Sequence, residues 1–292
     1  MAKINRTRRK PIKWIDVLSS ARMRVKTLAT QVKLFPVPLF DVAKQQRIEK
    51  VIFPQHQLPD GCLEPTNTGF IVYVKRLNEQ NSDDLTRLLE NESSGKDLLP
   101  DRMRFTIAHE IAHTFFFDLR PEKPVELIKS SRVEHFKRIE KACDELASKL
   151  LLPWLQISEF AKNCDFWNPS ILREFAKLAG ASDPAVILRL QPFLGYRGFV
   201  IFESSEEGCK IKYTSIGEGL LKQFFKIGIE MFAFQLIEQF FGEASFAVRD
   251  GSLVRMNCIA SSFRRGSLPT SWDCYLIKSY GNRWLMSFSL LD

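Results

Sequence analysis

The sequence predicts an α+β protein, and three observations carry that reading. Histidines four apart sit in a strongly apolar run, His109-Glu110-Ile111-Ala112-His113, and a second amphipathic stretch places Glu140 and Asp144 27 residues or more further on. A β-branched and aromatic run, Gly69 to Val74 (GFIVYV), precedes the histidines, and from Gly198 onward strand-like runs surround one Phe-rich segment. Helices and strands grouped in this way give α+β layers, not a βαβ repeat.

Along the chain, residues 14 to 33 have the composition of a helix, and Val37 to Ile52 mixes apolar and polar residues. GFIVYV is a strand by its residue types, and a strand at the edge of a sheet can pair with an extended segment. Leu77 to Asp97 is polar and acidic, with six Asp/Glu against two basic residues, and reads as a loop insertion before the histidines, a surface feature or a gate to the cleft.

The histidine helix is expected over 103 to 117, capped by Asp101 after Pro100, with Phe105, Ile107, Ile111, Phe115 and Phe116 as its apolar side. The next helix runs from about Ser131 to Leu152, on the stripe Phe136, Ile139, Cys143, Leu146/Ala147 and Leu150, and ends at Pro153. Asn168-Pro169 and Gly180 bracket a short helix and Asp183-Pro184 opens another. Such a pair suggests helix-turn-helix geometry, but a DNA-reading helix needs exposed polar side chains, and the second helix offers only Arg189 and Gln191, so packing is the expected role.

Phe199 to Glu203 and Lys210 to Ser215 form a hairpin across Glu206-Glu207-Gly208; further strands are expected near 253 to 260, 272 to 279 and 284 to 290. Between them a helix near 220 to 241 carries Phe224, Phe225, Phe232, Phe234, Phe240 and Phe241, a core-forming set or a surface for a small-molecule or protein signal. Lys222, Lys226, Glu230 and Glu238 on that helix argue against a bilayer span, so no membrane role is expected.

Length and composition bound the function. A chain of 292 residues holds two or three domains, and 45% hydrophobic with 26% charged residues is the balance of a globular protein. Six cysteines without a CxxC pair argue for reduced thiols and a cytoplasmic location. No apolar segment follows the basic residues 1 to 13, so no secretory signal is expected. Net charge is +8; ten Lys/Arg against Asp16 in residues 1 to 33 contribute +9, leaving −1 elsewhere. This basic arm is a solvated tail or a weak contact for nucleic acid or an acidic partner.

Residues four apart on a helix share a face, so both imidazoles can address one metal ion, while Glu110 lies about 100° round, beside the ion. Two His and a carboxylate are a known catalytic zinc set with an open position for water. Zinc lowers the pKa of that water and polarises a carbonyl, and a nearby Glu takes the proton, so peptide-bond hydrolysis is the expected reaction. Glu140 and Asp144 are either a solvated face or, respectively, a metal ligand and the carboxylate that holds an imidazole. Glu145 is the substitute third ligand. The residue that stabilises the oxyanion stays open among Tyr73, His135, Tyr196 and Tyr213.

The blocks Arg104-Phe105-Thr106-Ile107-Ala108-His109-Glu110 and Glu140-xx-Cys143-Asp144-x-Leu146-Ala147-xx-Leu150-Leu151-Leu152-Pro153 resemble the ImmA/IrrE family of bacterial metallopeptidases, a gluzincin-like arrangement, over roughly residues 100 to 155. The resemblance implies His109, His113 and Glu140 as zinc ligands and Glu110 as catalytic base. Asp144 stands where the family usually has Asn, Cys143 where it has Ala, and Ala112 where Gly is common. It further implies a substrate that is a helix-turn-helix transcriptional repressor, cut in stress response or mobile-element control. The expected organisation is a basic N-terminal arm and helix (1–33), a zincin-like peptidase domain (34–155), a helical, helix-turn-helix-like linker region (156–194) and an α+β GAF-like sensor module (195–292). The competing expectations are a non-enzymatic regulator with structural zinc and the toxin of a toxin–antitoxin pair.

Overall fold

The computed structural model describes residues 13–31, 35–53, 60–75, 89–91, 99–119, 126–128, 136–205, 208–218, 254–259, 271–278 and 283–290. Residues 1–12 of the basic arm, nearly all of the acidic insertion, His135 and the Phe-rich helix lie outside the described residues. The chain is a mixed α+β protein that forms two compact units, Met1–Pro153 and Trp154–Asp292.

In the first unit a three-stranded sheet supports two long helices. Strand β1 (Ile48–Ile52) runs parallel to β3 (Phe70–Val74), and β2 (Gly61–Pro65) pairs antiparallel to β3 on its other side. The GFIVYV run is therefore the central strand, and β2 is an edge. Period-2 alternation buries Phe70, Val72 and Val74 on the helix-facing side. The strand starts after Gly69, where a Cβ would lie 2.1 Å from the Arg47 carbonyl oxygen, so only glycine allows the two backbones to meet.

Helix α1 (Trp14–Gln31) and α2 (Leu39–Gln45) precede the sheet; α3 (Asp101–His113) packs on β2 and β3, a short antiparallel pair β4 (Phe117–Asp118) and β5 (Glu126–Leu127) follows, and α4 (Phe136–Leu151) packs along α3. Two details of α3 differ from expectation. Pro100 is the N-cap and Asp101 the first helical residue, without a side-chain cap bond, so Asp101 places a negative charge at the positive end of the helix in place of capping it. The α-helix stops at His113, and Thr114–Phe116 tighten into a 3-10 turn in which the Thr114 hydroxyl donates to the Ile111 carbonyl at 2.6 Å. Pro153 follows the end of α4, as the sequence predicts.

Helix α1 ties the two site helices together. Arg22 donates to both oxygens of Glu145 on α4 at 3.0 and 2.7 Å, Arg24 donates to the Phe115 carbonyl and to Gln46 Oε1, each at 3.2 Å, and Trp14 stacks on Phe116. Beneath α3, Arg104 is fully buried and donates to the Val37 carbonyl at 2.9 Å. A guanidinium in a core is tolerated only when its donors are met.

In the second unit, α5 (Trp154–Asn163), α6 (Pro169–Ala179) and α7 (Asp183–Leu190) accompany a five-stranded antiparallel sheet. Its strands are β6 (Arg197–Ser205), β7 (Gly208–Ile216), β8 (Val254–Ile259), β9 (Ser271–Lys278) and β10 (Arg283–Leu290), in the order β7-β6-β10-β9-β8. Both flanks of α6 follow the sequence: the Asn168 side chain accepts from the Ser170 amide, and Gly180 closes the helix at φ 56°. Gly198 faces Phe288 across β6 and β10, and the fully buried ring fills the place a side chain would take.

Replacing Arg104 by Ala is expected to lower stability by about 2–4 kcal/mol through the vacated volume and the orphaned Val37 carbonyl. The midpoint of urea unfolding checks it; an unmoved midpoint would mean that the guanidinium is not part of the core.

Candidate metal centre

Each side chain of the site is placed by the packing of α3 against α4. One turn separates His109 from His113, and their Nε2 atoms lie 3.1 Å apart. From α4, Glu140 brings Oε2 to 3.2 Å from His109 Nε2 and Oε1 to 3.4 Å from His113 Nε2. One turn further along α4, Asp144 Oδ1 sits 3.0 Å from His109 Nδ1. The carboxylate can only accept, so the proton of that bond belongs to Nδ1, and a neutral His109 then turns a bare Nε2 lone pair towards Glu140.

Lone pairs of an imidazole and a carboxylate at 3.2 Å repel unless a positive charge lies between them. Donors converging at 3.1–3.4 Å match the spacing around tetrahedral zinc, roughly 3.4 Å for bonds of about 2.0–2.1 Å, and an imidazole held by a carboxylate from behind is the usual support of a metal ligand. The residues present therefore fit zinc. A third group with metal-binding atoms also borders the histidines: the Cys143 sulfur and a ring nitrogen of each His lie within 4.8 Å of one another.

Burial sets the protonation of the site. His113 is pushed down to about 4, first by burial and then by His109, which keeps it neutral and able to ligate. Glu110 is only 5% exposed; burial, and then the charge of Glu140, push it up to about 8. A carboxylate so poised accepts a proton readily once a cation nearby favours its charged form. The Cys143 thiol is pushed up by burial first and by Glu140, Glu110 and Asp144 after it.

Gly61 on the edge strand completes the enclosure of Glu110. A Cβ there would lie 2.6 Å from Glu110 Oε1 and 2.6 Å from Thr106 Cγ2, so the absent side chain is what lets the carboxylate rest against the strand. Sequence reading missed this contact. The only signal was a glycine opening the run GCLEP, which is too short and too polar to announce a strand.

The other sequence candidates fall elsewhere. Glu145, the substitute third ligand, faces Arg22 and Lys149. Tyr73 lies on β3 with its hydroxyl donating to Glu64 Oε2 at 2.6 Å. Tyr196 and Tyr213 belong to the second unit. Among the described residues Cys62, Cys143 and Cys164 are free thiols.

Paired imidazoles on one helix, a carboxylate on a second and a buried acid under an edge strand form a candidate metal centre. Residues 95–181 match the model of the peptidase M78 family, described as an IrrE N-terminal-like domain. No curated protein matches the chain. A solved structure described as a Mycobacterium tuberculosis transcriptional regulator is similar over 92% of this chain and 76% of that chain, with 12% identity and a TM-score of 0.49. Among the described residues no helix is long and apolar enough to cross a membrane.

Gly61→Ala is expected to lower stability by about 1–3 kcal/mol, because Glu110 and Thr106 must both give way. Urea unfolding measures it, and a wild-type midpoint would show that Glu110 swings aside freely.

Proposed function

We propose that the protein is a zinc endopeptidase that cuts a specific protein substrate, with His109, His113 and Glu140 holding the metal and Glu110 acting as base. The observation that carries the reading is the convergence of three donors within 3.4 Å beside a carboxylate that is almost fully buried. A purely structural site has no use for such an acid, which costs stability where it stands. Zinc, when bound, supplies a water of lowered pKa and polarises the scissile carbonyl.

The remaining steps belong to the chain itself. Glu110 takes the proton of the attacking water on a carboxylate oxygen and passes it to the departing amine. Asp144 holds the Nδ1 proton of His109, which fixes the ring and raises its strength as a donor. Among the described residues β2 pairs on one side only, next to Glu110, and in this reading an extended substrate segment adds to its free edge as a further strand.

The family of residues 95–181 supports a substrate of regulatory kind, and we read it as a helix-turn-helix transcriptional repressor, cut in stress response or mobile-element control. We retain the four-part division at residues 33, 155 and 194, with cytoplasmic action and reduced thiols. The five-stranded antiparallel sheet supports a GAF-like sensor reading of residues 195–292, which would take a small-molecule or protein signal. The helices at 169–179 and 183–190 serve packing in this reading: Val186, Ile187 and Leu190 are buried, which leaves little of the second one to read DNA.

Co-expression with candidate repressors tests the assignment. Glu110→Gln is expected to keep about one zinc per chain by mass spectrometry and to cut at least about 100-fold more slowly; cleavage at the wild-type rate would remove Glu110 from the mechanism. Asp144→Ala is expected to weaken zinc about 10–100-fold against a competing chelator, and unchanged affinity would show that Asp144 does not support His109.

A further inference from the structure

The zinc reading of the site leaves one donor unused. Cys143 follows Glu140 by three residues on α4, so the two side chains lie on the same side of the helix, one above the other. Glu140 is half-buried, whereas Cys143 is completely buried. None of the contacts made by His109, His113, Glu140 and Asp144 within the site is directed to its sulfur. Its Sγ nevertheless lies within 4.8 Å of a ring nitrogen of each histidine.

Zinc with bonds of about 2.0–2.1 Å to nitrogen and 2.3 Å to sulfur sets these atoms roughly 3.5 Å apart. About an ångström of closure, within reach of small side-chain rotations, completes a second ligand set. Resting on the zinc reading above, we propose that Cys143 is a reserve metal ligand, and that His109, His113 and the Cys143 thiolate hold the ion when Glu140 lets go of it.

The exchange balances simply. The bond from zinc to a Glu140 oxygen breaks, a bond from zinc to Cys143 sulfur forms, and the thiol proton leaves to solvent. One singly charged ligand replaces another, so the charge of the centre does not change. Zinc favours sulfur over a carboxylate oxygen, and what opposes the exchange is the loss of the thiol proton in a buried place. The ion also moves from a half-exposed carboxylate to a completely buried sulfur. The cysteine-bound form is thus a holding state: it keeps the metal on the protein without presenting it to substrate.

Cobalt in place of zinc reports both halves of this claim in the full chain without any substrate. Visible d–d absorption shows that the ion is bound, and a near-ultraviolet sulfur-to-cobalt charge-transfer band shows that a thiolate binds it. In Glu140→Ala the cobalt is expected to stay, bound more weakly than in wild type, and to show the charge-transfer band. Adding Cys143→Ala to that variant is expected to abolish the band and to weaken cobalt by a further factor of about ten or more. Cobalt bound to Glu140→Ala without the band, or no cobalt on Glu140→Ala when wild type holds it, overturns the reserve ligand and leaves the zinc reading standing. A folded wild-type protein that takes up no cobalt overturns the zinc reading itself, and the reserve ligand with it. The band in the single variant decides the question even if the double variant fails to fold.

Discussion

The site rests on one enforced proximity: Nε2 of His109 held 3.2 Å from a Glu140 oxygen. Nothing local to either helix favours that approach, since both atoms are acceptors whenever His109 gives its proton to Asp144. Helix packing must hold them there. Along α3 and α4 the buried faces supply the force, with Ile107, Ile111 and Ala112 on one side and Ile139, Cys143, Leu146 and Ala147 on the other. Close packing of small and branched residues brings the helices near enough for short polar side chains to meet. A cation bound between them, as proposed, would offset the unfavourable meeting and couple the metal to the helix pair.

Glu110 extends the same logic to a single carboxylate. Its neutral form is favoured by burial and by the neighbouring Glu140 charge, so the protein without metal holds a protonated acid around neutral pH. A divalent ion between the histidines and Glu140 cancels the second cause and opposes the first. In the proposed mechanism, the ion would thereby make the base available. Thr106 and the edge strand at Gly61 keep the carboxylate from turning elsewhere.

Much of this was legible in the sequence because it depends on local spacing. The four-residue interval of His109 and His113, the stripe on α4 and the stop at Pro153 require only helical periodicity. Cap chemistry at Asn168 and Gly180 is equally local, and the hairpin pairs β6 with β7 as far as Ser205 and Gly208. What stayed hidden is non-local. That GFIVYV is central and Gly61–Pro65 is the edge depends on pairing between distant segments, and the contact of Gly61 with Glu110 depends in turn on where α3 crosses that edge. Arg104 within the core and Arg22 on Glu145 each join residues more than sixty positions apart, and no periodicity announces such a partner. Asp101 shows the reverse error: the right residue type stood one position inside the helix, where it serves the dipole but not the cap.

Glu145 illustrates how the fold selects one carboxylate among neighbours that sequence cannot rank. Glu140, Asp144 and Glu145 all lie within two turns of α4, and any of them could serve a metal by type alone. A rotation of about 100° per residue carries Glu145 away from the direction of Asp144. There Arg22 of α1 meets it with both arms of its guanidinium, and Lys149 stands one turn on. An ion pair this exposed contributes little to stability, but it occupies the one carboxylate that would otherwise compete for the ion. Helix α1 thus acts on the metal centre without touching it. It holds Glu145 outside and, through Arg24 on the Phe115 carbonyl, fixes the turn that ends α3 beyond His113, so the choice of ligands is a property of three helices and not of the motif alone.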